Sequence, residues 1–143
     1  MVLKAEILIP GGSARGECLA LSAPISFWGG VDPRTGLIID ARHPERGRSV
    51  AGMVLALPGT IGSSSASAVL LELVHAGRAP AALLMDSPDA ILLLGFVVAR
   101  EMGWPAPPAL RLPAGSQRDL HGRRLLLSAD GAITLDGNGA TRD

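Results

Sequence analysis

Almost every apolar residue of this 143-residue chain is aliphatic: there is no tyrosine, and only Phe27, Trp28, Phe96 and Trp104 carry an aromatic ring of the apolar kind. A core must therefore be filled by Leu, Val, Ile and Ala. With 18 glycines and 11 prolines, that core suits short strands, tight turns and backbones that pack closely. At 14.7 kDa and a mean hydropathy of +0.34, the chain fits one domain and can bury a real core without disulfides or metal. Disorder is excluded.

The apolar runs are mostly of strand length. Residues 5–9 form one, ended by Pro10-Gly11-Gly12; residues 17–22 alternate loosely up to Pro24. Residues 26–36 are dense in turn formers, and Asp32-Pro33-Arg34-Thr35-Gly36 suits a type I turn. Residues 37–39 and 50–57 read as strands apolar enough to be central, the second interrupted by Gly52. Two stretches have helical period instead. Ala66, Val69, Leu70, Leu73 and Val74 share one face, with Ser63, Ser64 or Ser65 as N-cap and Gly77 just past the end. The second opens at Ser87-Pro88-Asp89, with Pro88 at the first helical position, runs to Glu101 and stops at Gly103; apolar nearly all round, it should be buried on most sides. Between them residues 81–85 form a short strand. Residues 109–112, 123–128 and 132–135 are further strands, the last two a hairpin across Asp130-Gly131. From Asp136 the text is polar and Gly-rich, a tail expected to fray. The order of elements is that of one α/β or α+β unit with helices packed on a sheet.

Charge excludes some functions. Thirteen basic and thirteen acidic residues cancel, no basic stripe occurs, and four scattered rings make no base-stacking platform, so nucleic acid is disfavoured as a partner. The N-terminus lacks an export signal. The longest apolar stretch, 90–99, is far short of the roughly 20 residues of a membrane span. Cys18 is alone; it makes no internal disulfide, cannot ligate a cluster by itself, and agrees with a reducing, cytoplasmic setting.

Gly62-Ser63-Ser64-Ser65-Ala66-Ser67 is the most suggestive local signal. A strand, a glycine turn and a helix start bring backbone N–H groups and the positive end of a helix dipole to one point, where hydroxyls can bind an anion or be stabilised as alkoxide. The same text also reads as ordinary capping and loop. It is neither a P-loop nor a Gly-x-Ser-x-Gly elbow. His43, His75 and His121 lack metal-ligand spacing. His43 reads as a loop or interface residue and His75 as a helix C-terminal residue; a Ser63–His43–Asp32 hydrolase triad can be written but is disfavoured without an elbow. Phe27-Trp28 before Gly29-Gly30 is equally a core anchor or a partner contact.

Three segments resemble one family. Pro24-Ile25-Ser26-Phe27-Trp28-Gly29-Gly30-Val31-Asp32-Pro33 with Thr35-Gly36; Asp40, His43-Pro44, Gly47 and Ser49-Val50-Ala51-Gly52; and Gly62-Ser63-Ser64-Ser65 leading into Val69-Leu70-Leu71-Glu72 together resemble the aconitase-X swivel domain, a likeness that extends over residues 4–112. The resemblance implies an α/β fold: a single β/β/α swivelling domain like the mobile C-terminal domain of aconitase, here over residues 1–136, followed by a flexible tail, 137–143. It implies the small subunit of a heteromeric hydro-lyase, partnered by a large catalytic subunit that carries the iron–sulfur cluster, with no cofactor or metal bound by this chain and the isolated chain inactive. The substrate is a small hydroxy acid: cis-3-hydroxy-L-proline in bacterial members, mevalonate 5-phosphate in archaeal ones. The family's proton acceptor falls on Ser63, and Gly62, Ser64 and Ser65 would hold the substrate carboxylate. Ile61 departs from the family, where a basic residue often precedes the glycine. The paucity of lysine, with Lys4 alone, turns the expectation toward hydroxyproline; a non-catalytic binding module of the same fold is the remaining alternative.

Overall fold

A computed structural model describes residues 2–136; the tail expected at 137–143 lies outside the described residues. In chain order the elements are β1 (Val2–Lys4), β2 (Glu6–Ile9), β3 (Ala14–Ala20), a single helical turn α1 (Phe27–Gly30), β4 (Val54–Leu57), α2 (Ala66–His75), β5 (Ala82–Met85), α3 (Ala90–Glu101), β6 (Ala109–Arg111), α4 (Ala114–Leu120), β7 (Arg124–Leu127) and β8 (Ala132–Leu135).

The strands are ordered β1-β8-β7-β3-β4-β5-β6-β2. β3, β4, β5 and β6 run parallel, while β1, β8 and β7 are antiparallel to their neighbours. The hinge between these parts is β3. Its first half pairs with β7 (Ala14 opposite Leu127, Glu17 opposite Arg124), and its second with β4 (Cys18 opposite Val54, Ala20 opposite Ala56). The two outer strands, β1 and β2, are consecutive in sequence and separated by Ala5 alone, whose N–H donates to the Gly131 carbonyl at 2.9 Å. The ladder thus folds back on itself into two β layers.

Side-chain alternation explains the third layer. On one face of the parallel strands Leu19, Leu55, Leu57, Leu83 and Met85 join Leu70, Leu73, Leu92 and Phe96 of α2 and α3 in one core. On the other, Cys18, Ala20, Val54, Ala56, Ala82 and Leu84 join Leu120, Leu125, Leu127 and Ile133 in a second. Strands buried on both faces read as unbroken apolar runs, as these do. The many alanines on the second face let the β7–β8 layer approach closely. The result is the β/β/α architecture expected from the resemblance.

The helices end as their glycines foretell. Gly77 and Gly103 adopt left-handed φ of 72° and 78°. Arg78 and Trp104 donate back to the carbonyls of Leu73 and Ala99, both at 2.9 Å, closing each helix with a Schellman turn. α2 and α3 cross at Gly95, where a Cβ would stand 2.6 Å from the Ser67 carbonyl oxygen and 2.9 Å from the Leu70 Cβ.

Four expectations are corrected. Residues 37–39 are not a central strand but a loop pinned by single bridges, Val31 to Ile38 and Leu37 to Ser49. Ile38 plugs the core from that loop, so burial, not sheet pairing, explains its apolar text. The run 50–57 is a strand only from Val54, because Gly52 turns the chain at φ 71° and donates to the Ala79 carbonyl. α3 starts two residues late, with Asp89 rather than Ser87 as its cap, and exposes Ile91, Leu94, Val97, Val98 and Met102, so it is buried on one side only. α4 carries too weak an apolar period to be anticipated. It is held by Asp86, which accepts the Ala114 N–H at 2.8 Å, and by the buried Gln117, whose Nε2 donates to the carbonyls of Leu57 and Leu112. No helix among the described residues is long and apolar enough to cross a membrane.

Candidate active site

In a parallel α/β sheet, ligands meet the chain beyond the carboxyl ends of the strands, where loops lead into helix N-termini. Residues 58–65 make that connection from β4 to α2. The loop is built against the segment after β3. Ile25 forms a parallel bridge with Thr60, the Ile61 N–H donates to the Ile25 carbonyl at 3.0 Å, and a Cβ on Gly59 would stand 3.5 Å from the Pro24 ring. The same loop is tied to α3, since the Thr60 hydroxyl donates to Asp89 Oδ2 at 2.8 Å while Asp89 Oδ1 accepts the Leu92 N–H at 3.0 Å.

This scaffold leaves the serines at an open face. Gly62 and Ser64 are exposed, and Ser63 and Ser65 are half-buried. Nothing lies within 4 Å of where a Gly62 Cβ would stand. Ser63 Oγ accepts the Ser65 N–H at 3.2 Å, and the Ser63 carbonyl accepts from Ala66 at 3.2 Å. Ser65 occupies the N-cap position of α2 but makes no side-chain capping bond. Ser63 therefore sits beside a fixed N–H at the positive end of a ten-residue helix, the environment that favours negative charge on oxygen. Residues 62–65 are consecutive and lie at the start of α2. Sequence reasoning missed Thr60 and the second role of Asp89, because a contact across 29 residues leaves no local period.

The supporting segment has its own anchor. Ser22 donates from N and Oγ to the two carboxylate oxygens of Glu45 at 3.0 and 2.8 Å. Burial alone would raise the Glu45 carboxyl, but the two Ser22 hydrogen bonds, with His43 and Arg118 nearby, outweigh it and hold the group below its ordinary value. His43 is buried; its Nε2 bonds the Ala23 carbonyl at 3.0 Å and its Nδ1 accepts the Glu45 N–H at 3.1 Å. It is a loop residue, as read, but buried and with both nitrogens engaged, so it serves structure and is not a base for Ser63. Asp32 is spent on its own turn, where the Arg34 N–H donates to it at 2.9 Å and holds its carboxyl below the usual range. The hydrolase triad is thus not assembled. His75 packs on Trp104, ring centroids 4.7 Å apart, and His121 Nδ1 accepts the Ala20 N–H. The two adjacent aromatics divide their roles: Phe27 is core, and Trp28 is 61% exposed.

An iron–sulfur cluster does not fit this chain's own residues. Cys18 is fully buried, and burial, only partly offset by Arg118, pushes its thiol up to about 12, the opposite of what a thiolate ligand needs. Among the described residues no group of three His, Cys, Asp or Glu side chains is placed to hold a metal ion. A recess of about 370 Å³ lined by residues such as Gly11, Val74, Gly77, Pro80 and Pro107 lies toward the other end of the sheet and presents no titratable group.

Two β layers, one helical layer and a hydroxyl loop in the β4–α2–β5 crossover define a swivel-type α/β domain. The chain belongs to the aconitase X swivel domain family, whose model matches residues 2–134. It is 51% identical over 102 residues, 68% of this chain and 18% of the other, to a cis-3-hydroxy-L-proline dehydratase of Pseudomonas aeruginosa. It is 41% identical over 99 residues, 69% of this chain and 75% of the other, to a phosphomevalonate dehydratase small subunit of Thermococcus onnurineus. A crystal structure of Thermococcus kodakaraensis aconitase X in its holo form superposes with a TM-score of 0.82 at 30% identity, over 95% of this chain and 98% of that one. The chain spans about a fifth of the length of the two hydroxyproline dehydratases it resembles, from Pseudomonas aeruginosa and Hypocrea jecorina.

Proposed function

We propose that this chain is the small subunit of a heteromeric hydro-lyase of the aconitase X type, and that the complex dehydrates cis-3-hydroxy-L-proline to pyrroline-2-carboxylate with Ser63 as proton acceptor. The observation that carries the reading is the Ser65 N–H aimed at Ser63 Oγ, at an open helix start, within a chain 51% identical over 102 residues to a protein named a dehydratase of that substrate. Loss of water requires a proton to leave the carbon beside the carboxylate and a hydroxyl to leave the adjacent carbon. As alkoxide, Ser63 takes the proton and becomes a neutral hydroxyl, while the hydroxide leaving the adjacent carbon would be accepted by the Lewis acid that the large subunit's cluster would supply. The Ser65 N–H and the α2 dipole lower the cost of the alkoxide beforehand. Gly62, Ser64 and Ser65 form the cradle for the substrate carboxylate, because exposed hydroxyls and backbone N–H groups at a helix start suit an anion. The iron–sulfur cluster belongs to the large subunit, and no step of this chain's work is routed through Cys18. Alone, the chain turns nothing over.

A second reading has its own support. The Thermococcus relative named a phosphomevalonate dehydratase small subunit matches this chain over most of its own length, so mevalonate 5-phosphate is the competing substrate. Residues 58–67 contain no Lys or Arg, which speaks against a phosphate held at this loop. The test is to assay the complex of this chain with its large subunit on both substrates. Turnover of hydroxyproline alone is expected; turnover of the phosphorylated acid alone would replace the first reading with the second. No turnover of either by an assembled complex would favour a binding module that has lost catalysis.

A further inference from the structure

Three exposed apolar side chains lie on the Ser63 loop or on segments bonded to it: Trp28 is 61% exposed, Ile61 55% and Ile39 47%. They are distant in sequence but bound to one backbone frame. Ile61 donates to the Ile25 carbonyl at 3.0 Å, and Ile39 donates to the Gly30 carbonyl at 2.8 Å. A Cβ on Gly30 would stand 3.0 Å from the Ile25 side chain, so the two hydrogen bonds are one residue's packing apart. Trp28 lies in the same turn as Gly30, between the buried Phe27 and Gly29, whose φ is 80°. Ser26 Oγ donates to the Trp28 carbonyl at 3.1 Å, and Val31 donates to the Phe27 carbonyl at 3.2 Å. The indole is thus carried on a fixed turn anchored in the core, the pre-organised aromatic that concentrates binding energy at an interface.

We infer that Trp28, Ile39 and Ile61 form the seat for an apolar ridge of the large subunit, closing the mouth of the site around Ser63. The inference rests on the proposed dehydratase reading, which supplies the occupant: most of each hydroxyproline dehydratase polypeptide has no counterpart in this chain. The patch is continuous with the loop whose chemistry is incomplete without that larger part. An apolar seat also serves the reaction, since excluding water from around Ser63 strengthens the dipole and N–H contributions to its alkoxide. The competing surface is the exposed stripe of α3, Ile91, Leu94, Val98 and Met102; residues 58–65 meet α3 through its cap Asp89, not through any of these four.

The test measures, by titration calorimetry, the affinity of the purified large subunit of the same organism for this chain and for three variants: Trp28→Ser, Ile61→Asp and Leu94→Ser. Trp28→Ser should weaken binding about 30-fold or more, and Ile61→Asp should weaken it comparably. Leu94→Ser should stay within about threefold of the unmodified chain, since substitutions away from a hot spot cost little. With Trp28→Ser added to saturation, turnover should return to within about threefold, the signature of a docking residue. A cooperative melt of each variant alone establishes that it folds, and because Trp28 and Ile61 sit on separate segments, one misfolded variant leaves the other to decide. Rim variants that bind as well as the unmodified chain, or a loss confined to Leu94→Ser, would overturn the docking surface and leave the dehydratase reading intact. An unmodified chain that does not bind the large subunit at all would overturn both. A complex that assembles through the rim yet dehydrates neither substrate would overturn the reaction and leave the docking surface standing.

Discussion

The two long helices begin side by side at the carboxyl edge of the parallel strands, and they begin differently. α3 starts on Asp89, a carboxylate with both oxygens in use, one on the Leu92 N–H and one on the Thr60 hydroxyl. α2 starts on Ser65, whose hydroxyl caps nothing, with Ser63 Oγ taking the Ser65 N–H from a half-open position. In α3 the positive helix end is neutralised by the chain's own anion, and that is a stability device. In α2 no acid stands in the first turn, so the field of the helix remains available to a charge that arrives or develops. The same structural position is closed by a side chain in one helix and left without a carboxylate in the other.

Ser63→Ala is the sharpest way to break this contrast. Turnover of the assembled complex should fall by about 10²–10⁴, while the urea midpoint of the isolated chain moves little. Near-normal turnover would remove Ser63 from the reaction. Gly95→Ala attacks what holds both helix starts in register. A Cβ there meets backbone and a Cβ of α2, neither of which can swing aside, and the expected loss is about 1–3 kcal/mol of unfolding free energy. A change under about half a kcal/mol, measured by urea titration, would mean the crossing is looser than its geometry indicates. Asp89→Ala should cost about 1 kcal/mol as a lost cap. By freeing Thr60 it should also lower turnover severalfold, whereas Asp89→Asn, which keeps both acceptor and cap, should recover most of the stability. Ser65→Ala should be the mildest, within about half a kcal/mol in stability, because no capping bond is there to lose. If Ser65 holds the substrate carboxylate as proposed, KM should rise while kcat changes little. A full kcal/mol lost at Ser65 would show that α2 is capped after all and erase the difference between the two helices.

How much of this could be read beforehand depended on range. The period of Ala66, Val69, Leu70 and Leu73 placed α2, and all four are buried in the helix-side core. Gly77 and Gly103 marked both helix ends because only a residue without Cβ enters left-handed φ cheaply. The run 50–57 was legible as a central strand, correctly from Val54 on, and 81–85 as a short strand, since both faces of each strand are apolar. Residues 37–39 misled for the same reason inverted: an aliphatic triplet is strand-like by propensity, but Ile38 is buried as a plug between turns. α4 escaped because its stability comes from Gln117 and Asp86 reaching groups far along the chain. The serine cluster was visible as text and ambiguous as chemistry. What separates a spent cap from an available hydroxyl is a hydrogen-bond geometry that spacing does not encode.

By itself, then, the sequence determined a small aliphatic α/β domain, the glycine ends of its two long helices, the strand ending at Leu57 and its family, because burial periodicity and glycine conformation are local properties that survive in one dimension. Only the tertiary structure decided which serine faces an open surface, that His43 is locked between Ala23 and Glu45, and that Phe27 turns inward while Trp28 turns out. Those outcomes depend on which segments the folded sheet brings alongside one another, and non-local pairing leaves no trace in the order of residues.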